Sequence, residues 1–174
     1  MEFTGWVANL LYFGGGCFKS PRKTIAAYTT ANILYVILYL SLDIYMAALC
    51  MFIVTLRSGF SLFLNDKHNL YSVIILTSVL SVFLLLNIEG FYDLAILFAA
   101  IFIGLSNYYR DHFYKFKIMV CISQLLWMVH SLAFGVYPML FCCFMTLSTN
   151  IGAMLYYSDV REKFFRPAIV TREI

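Results

Sequence analysis

Charged residues are scarce in this chain of 174 residues: they make up 12% of it, whereas hydrophobic residues make up 63%. Soluble domains hold about 25% charged residues. A chain this small cannot bury so much apolar surface in one water-soluble core. Lipid must therefore cover part of the surface, and the composition predicts a membrane protein whose first partner is the bilayer.

Enzyme and metal signatures are also missing. The chain has no G-x-S-x-G, no H-E-x-x-H and no phosphate-binding glycine loop. Its five cysteines include no C-x-x-C pair, so neither a zinc site nor a disulfide framework is indicated. The net charge of +3 does not indicate nucleic-acid binding, because the basic residues lie in short loops beside apolar runs. We expect no enzyme, no metal, no cofactor and no nucleic-acid partner.

Seven apolar runs come close to the length of a membrane helix, which needs about 20 residues. The first run is the weakest, because it is short and ends in three glycines. Very tight turns at Asp43 and at Gly135 with Pro138 predict antiparallel neighbours. The candidate spans are residues 3–18, 25–42, 44–64, 71–88, 91–108, 116–134 and 136–157.

Basic residues are absent from every second gap between these spans. All twelve Lys and Arg residues fall in the alternate gaps, at the adjoining span ends or in the C-terminal tail, whereas the N-terminus and the remaining gaps carry only acids. Basic residues favour the cytoplasmic side of a membrane. The pattern therefore predicts an N-terminus outside and a C-terminus in the cytoplasm. The acids are Glu2, Asp43, Glu89 and Asp93; the bases are Lys19, Arg22, Lys23, Arg57, Lys67, Arg110, Lys115, Lys117, Arg161, Lys163, Arg166 and Arg172.

An internal repeat relates the two halves of the chain. A shift of 92 residues places spans one to three on spans five to seven without a gap, matching Leu34 with Leu126 and Cys50 with Cys142. The fold predicted is all-α and transmembrane, with seven helices in a 3+1+3 parallel repeat, as in SWEET-type sugar carriers. One membrane domain spans 1–174: a first triple-helix unit at 1–65, a connector at 66–90, a second unit at 91–158 and a cytoplasmic tail at 159–174.

The chain contains a set of short motifs: Arg22-Lys23, Tyr28, Asn32-Ile33-Leu34, Arg57, Trp127-Met128-Val129-His130, Gly135 and Asn150. These motifs resemble those of the YgjV-type bacterial inner-membrane proteins, over residues 22–157. The chain differs from that pattern at Val54, where the family has an Asn three residues before the Arg, and at Ala153, where a second Arg follows the Asn. The resemblance implies a multi-pass inner-membrane protein and no particular activity. More remotely, the plan is similar to that of SWEET, PQ-loop and nicotinamide riboside carriers.

Polar side chains inside a membrane are costly and so indicate function. Two helical stripes at repeat-related positions, with one polar residue from the third span of each unit, predict a pocket near the midplane. Aromatic walls with a few polar groups suit a sugar, a nucleoside or a vitamin-like solute, carried by alternating access. The predicted binding residues are Asn32, Tyr35, Tyr39, Arg57, Gln124, Trp127, His130 and Asn150.

Simpler interpretations of these residues stay open. Asn32 and Gln124 suit hydrogen bonding between helices, and Tyr35 and Tyr39 suit the membrane interface. His130 suits packing, a proton contact or haem ligation, and Arg57 suits a side chain that reaches the inner surface. The alternative function is a non-transporting membrane subunit or scaffold. Because both repeats lie in one chain, we expect a monomer or a weak homodimer.

Overall fold

Helices account for nearly all of the structure, a computed structural model that describes residues 2–41, 43, 45–87, 93–133 and 137–165. Each predicted span overlaps one helix, so the all-α architecture with seven helices is confirmed for these residues. The helices are α1 (Glu2–Gly16), α2 (Pro21–Ser41), α3 (Tyr45–Phe63), α4 (Asp66–Leu86), α5 (Asp93–Tyr108), α6 (Phe113–Ala133) and α7 (Tyr137–Phe165).

Local sequence explains several helix ends. Pro21 opens α2, where its missing N–H costs nothing. The Asn65 side chain caps α4 by accepting a hydrogen bond of 3.0 Å from the backbone N–H of His68. At the predicted tight turn between α2 and α3, Asp43 has a φ of 58°, a left-handed conformation that Asp tolerates better than most residues. The other predicted tight turn includes Gly135, which lies outside the described residues, as does Glu89.

The helices pack as two sets of three, α1–α3 and α5–α7, which contact each other, with α4 packed against α3 and α5. Helix α2 packs on α1 and α3, and α6 packs on α5 and α7, so each set of three is consecutive in space. The two sets meet where α1 packs on α7, where α3 packs on α5, and at a small contact between α2 and α6. Helix α4 packs against α3 and α5. The repeat that relates the two sets stays a prediction.

The outer surface is apolar. In the described ranges, four helical segments are long and apolar enough to cross a membrane, and they are Pro21–Ser41, Asp66–Leu86, Phe113–Ala133 and Met139–Tyr157. Ala48–Phe63 and Leu94–Tyr108 are apolar but shorter. Large side chains such as Leu86 and Leu132 are 80% and 60% exposed, as expected of surfaces that face lipid.

The last helix is longer than its predicted span. Helix α7 continues to Phe165 and so enters the segment predicted as the cytoplasmic tail. Of the predicted tail charges, Arg166 and Arg172 lie outside the described residues.

Candidate functional site: a cavity between the two halves

A cavity of about 620 Å³ lies among the helices, and every one of the seven contributes at least one lining residue. Small-molecule sites usually have volumes of about 300–1,000 Å³. The described lining residues include no Asp, Glu, Lys or Arg. The wall therefore offers aromatic rings, hydroxyls, amides, thiols and an imidazole, which suit binding by contact and hydrogen bonds.

Six of the eight residues predicted as a site line this one cavity. They come from α2 and α6, the middle helices of the two sets. They are Asn32, Tyr35, Tyr39, Gln124, Trp127 and His130. The other two, Arg57 and Asn150, are fully buried but are not lining residues. Whether these residues bind a solute stays a prediction.

Tyrosines from α1 and α2 form one wall. The ring of Tyr12 lies 4.7 Å from that of Tyr28 and 6.0 Å from that of Tyr35, between centroids. Tyr35 lies 6.0 Å from Tyr39, with the rings nearly parallel. The Tyr12 hydroxyl donates a hydrogen bond to Oδ1 of Asn32, which fixes the amide at the cavity wall. The Tyr35 and Tyr39 rings are stacked and the Tyr12 ring is tilted against its neighbours, so the four side chains form one aromatic cluster along the wall.

Sequence reasoning missed Tyr12. Tyr12 lies on the weakest of the predicted spans, and no residue of that span was among the predicted binding residues. The signal was its spacing of three from Asn9, which places both on one face of a helix. Asn9 accepts a hydrogen bond from the Tyr35 hydroxyl, so this face of α1 supports the tyrosines of α2.

The opposite wall comes from α6. The rings of Trp127 and His130 lie 6.0 Å apart between centroids at an angle of 87°, an edge-to-face arrangement. One turn earlier, the hydroxyl of Ser123 donates to the carbonyl of Ala99 at 3.0 Å, which fixes α6 against α5. The predicted stripe of α6 therefore faces the cavity as one surface.

The two sets of helices contact each other mainly along two pairs of helices, which we call the α1–α7 seam and the α3–α5 seam. The α1–α7 seam comprises Gly16, Thr149 and Asn150. A Cβ added at Gly16 would lie 2.8 Å from the Cβ of Thr149, so only glycine allows this approach. Nδ2 of Asn150 donates to the Tyr28 hydroxyl at 2.9 Å and to the carbonyl of Thr146 at 2.7 Å. Asn150 therefore supports the tyrosine wall from behind.

The α3–α5 seam comprises Arg57, Ser58, Gly104 and Asn107. Nδ2 of Asn107 donates to the Ser58 hydroxyl at 3.1 Å, and both residues line the cavity. Nη1 of Arg57 donates to the carbonyl of Ala100 at 3.0 Å and to Oγ1 of Thr77 at 3.0 Å. Arg57 thus joins α3 to both α4 and α5, and it does not extend to the surface.

Two basic residues predicted near the cytoplasmic surface are buried instead. Lys117 is 0% exposed, and its Nζ donates to the carbonyl of Gly16 at 2.7 Å. The last carbonyls of a helix lack partners within it, so the end of α1 attracts the ammonium group. Arg110 is 2% exposed, and its guanidinium contacts the carbonyl of Ser61 and Oδ1 of Asp66, the latter at 2.7 Å.

Ion pairs bring several gaps to one end of the molecule. Arg22, at the start of α2, lies 3.2 Å from Asp111, which follows α5. Arg110 pairs with Asp66 at the start of α4. The gaps before α2, α4 and α6 therefore share one end of the helices, which agrees with the predicted grouping of their basic residues.

Comparison with known proteins identifies the family. No curated protein and no solved structure matches the chain. Residues 1–160 match the model of the Imp-YgjV family, described as a bacterial inner membrane protein. The match spans nearly the whole length, and several helices are apolar enough to cross a bilayer. The chain is a membrane protein that belongs to the Imp-YgjV family of bacterial inner membrane proteins.

Proposed function

We propose that the protein is a small carrier that moves a polar solute across the inner membrane by alternating access. The cavity carries this proposal: it lies between the two sets of helices, every helix lines it, and its volume of about 620 Å³ suits a small molecule. A protein that served only as a scaffold would have no need of such a space at its centre.

The packing order supports the mechanism. Each set of three helices has its own consecutive contacts, and the sets meet mainly at the two seams and at a small α2–α6 contact. Rocking one set against the other would open the cavity to one side and close it to the other. The basic end would face the cytoplasm, with the N-terminus outside.

The lining indicates what kind of solute fits. The tyrosine wall offers flat apolar faces, while Asn32 on α2 and Gln124 and His130 on α6 offer hydrogen-bonding groups. A sugar, a nucleoside or a vitamin-like compound presents both kinds of surface. The six predicted residues that line the cavity would hold it, and Asn150 would act through Tyr28.

The test combines binding with transport. We would measure the midpoint of thermal unfolding of the detergent-purified protein against sugars, nucleosides, vitamins and amino acids, and then uptake of each hit into proteoliposomes. A solute at 100 times its Kd stabilises a protein by about 2.7 kcal/mol. We expect Trp127→Ala and His130→Ala to lose both the stabilisation and the uptake.

Leu125→Ala is the matched control, because Leu125 lies on the same helix, is 49% exposed and does not line the cavity. It should keep the response of the parent protein. If no compound stabilises the protein and no compound enters the vesicles, the carrier proposal is wrong. Co-purification of a stable partner protein in that case would favour the membrane subunit or scaffold.

A further inference from the structure

Arg57 is a buried guanidinium in which two of the three nitrogens, with three of the five N–H donors, are unused. Its side chain is 0% exposed. Nη1 is bound by Ala100 and Thr77, but Nε and Nη2 have no hydrogen-bond partner. An unsatisfied buried polar group is costly, and a charged one more so. The structure retains this group at a cost that packing alone does not explain.

No carboxylate balances this charge among the described residues. Helices α2, α3 and α6 contain no Asp or Glu, and α4 and α5 contain one each, at their first residues, Asp66 and Asp93. Asp66 is paired with Arg110. Lys117, which is also fully buried, is bound by the carbonyl of Gly16 and by Thr24. Among the described residues, Arg57 is the buried cation that has two nitrogens without any hydrogen-bond partner and no ion pair with a carboxylate.

The two unused nitrogens form one edge of the guanidinium plane. An arginine binds a carboxylate or a phosphate most strongly when two N–H groups point in parallel at two oxygens. With Nη1 fixed, Nε and Nη2 present such an edge. Gly104 leaves the space for this arrangement, because a Cβ there would lie 3.1 Å from Nη1 and 2.7 Å from Oγ1 of Thr77.

The guanidinium adjoins the polar end of the cavity. Ala100, which accepts its hydrogen bond, lines the cavity, as do Ser58, Ser106 and Asn107. We propose that the solute is an anion whose carboxylate or phosphate binds Nε and Nη2 of Arg57, while its body occupies the space between the aromatic walls. This inference rests on the proposed carrier function and narrows its solute class. When the two sets of helices move apart in the alternating-access cycle, separation of α3 from α5 would expose the guanidinium to the anion.

The experiment compares two carboxylates with neutral analogues of similar size and shape, and includes inorganic phosphate as a third anion. Thermal unfolding of the full chain, in detergent free of phospholipid and at fixed chloride, is measured with benzoate against benzamide, glucuronate against glucose, and inorganic phosphate. The charged member should stabilise the protein and the neutral member should not. Arg57→Met should raise the apparent Kd for the anion by roughly 10- to 100-fold.

Arg57→Met removes an unbalanced buried charge and keeps the volume, so we expect the variant to fold with a thermal midpoint at or above that of the parent. Arg22→Met is the control: Arg22 is exposed and paired with Asp111, so its loss should leave the anion response intact. Arg57→Lys should recover part of the response, since it restores the charge without the two-pronged edge.

Three outcomes would overturn the anion site. The neutral members stabilise as well as the charged ones; the anion response survives in Arg57→Met; or only added phosphatidylglycerol stabilises the protein, which assigns the guanidinium to a lipid phosphate. In the first two cases a solute still binds, so the carrier proposal survives. If no soluble compound raises the thermal midpoint and none is taken up into proteoliposomes, both the anion-site proposal and the carrier proposal are wrong.

Discussion

The α1–α7 seam and the α3–α5 seam each join the first helix of one set to the last helix of the other, yet they contain different chemical groups. At the first, Gly16 brings the helices into close contact and Asn150 bonds to neutral groups. At the second, the charged Arg57 lies between α3, α4 and α5 with donors unused. The first seam is built for close packing, and the second contains a charge that packing does not require.

The difference suggests a division of labour between the seams. Close packing, with Nδ2 of Asn150 bonded to Tyr28 and Thr146, favours a fixed joint, because separation of the helices would break the bond to Tyr28. An incompletely bound guanidinium favours a joint that changes partners. We therefore expect substitutions in the α1–α7 seam to lower stability, and substitutions in the α3–α5 seam to affect binding more than stability.

The largest effect is expected from Gly16→Ala. The added Cβ would meet Thr149 and force α1 away from α7. Overpacking of this kind costs about 1–3 kcal/mol, and more where backbone must move. The measurement is the thermal midpoint of the purified protein. Gly14→Ala is the control, because a Cβ there would meet nothing within 4 Å and alanine favours the helix by about 1 kcal/mol. Equal behaviour of the two variants would contradict the close seam.

Asn150→Leu should have the next largest effect. It removes the hydrogen bond of 2.9 Å to the Tyr28 hydroxyl and leaves that buried group without its donor. The expected loss is about 1–3 kcal/mol, measured by thermal unfolding. Compared with Arg57→Met, which should cost nothing, this pair tests the contrast between the seams directly. A larger loss for Arg57→Met than for Asn150→Leu would reverse it.

Ser58→Ala should have a smaller effect on the α3–α5 seam. It removes the acceptor of the Asn107 amide, a bond of 3.1 Å, and a typical hydrogen bond contributes about 1 kcal/mol. Ser148→Ala is the control, because the hydroxyl of Ser148 is exposed and bonds within its own helix to Phe144. The thermal midpoints of the two variants should differ, with Ser58→Ala the lower.

Arg22→Gln should have the smallest effect. Its ion pair with Asp111 joins the two halves outside both seams, with side chains 54% and 51% exposed. Exposed ion pairs contribute about 0–1 kcal/mol, and salt screens them. The shift in thermal midpoint should be small at low salt and should vanish at about 1 M salt. A shift that persists at high salt would show that this contact does more than an exposed pair.

Much of the fold could be predicted from the sequence, because a helix that faces lipid needs a long run of apolar residues, and such runs are visible in the sequence. The seven spans and the turn at Asp43 were identified in this way. The site is harder: repeat-related stripes led to six residues that line one cavity, but Arg57 lies beside it and Tyr12 was missed. Such contacts depend on how helices that are distant in the chain pack together. No local sequence pattern predicted that Lys117 would be buried against Gly16.

The contact between Lys117 and Gly16 also bears on how the chain is made. Helix α1 is the weakest of the predicted spans, and the ammonium that binds its last carbonyl, that of Gly16, lies about 100 residues later in the chain. At synthesis rates of about 5–20 residues per second, roughly 5–20 seconds separate the emergence of the two groups. This contact can therefore form only after most of the protein has been translated.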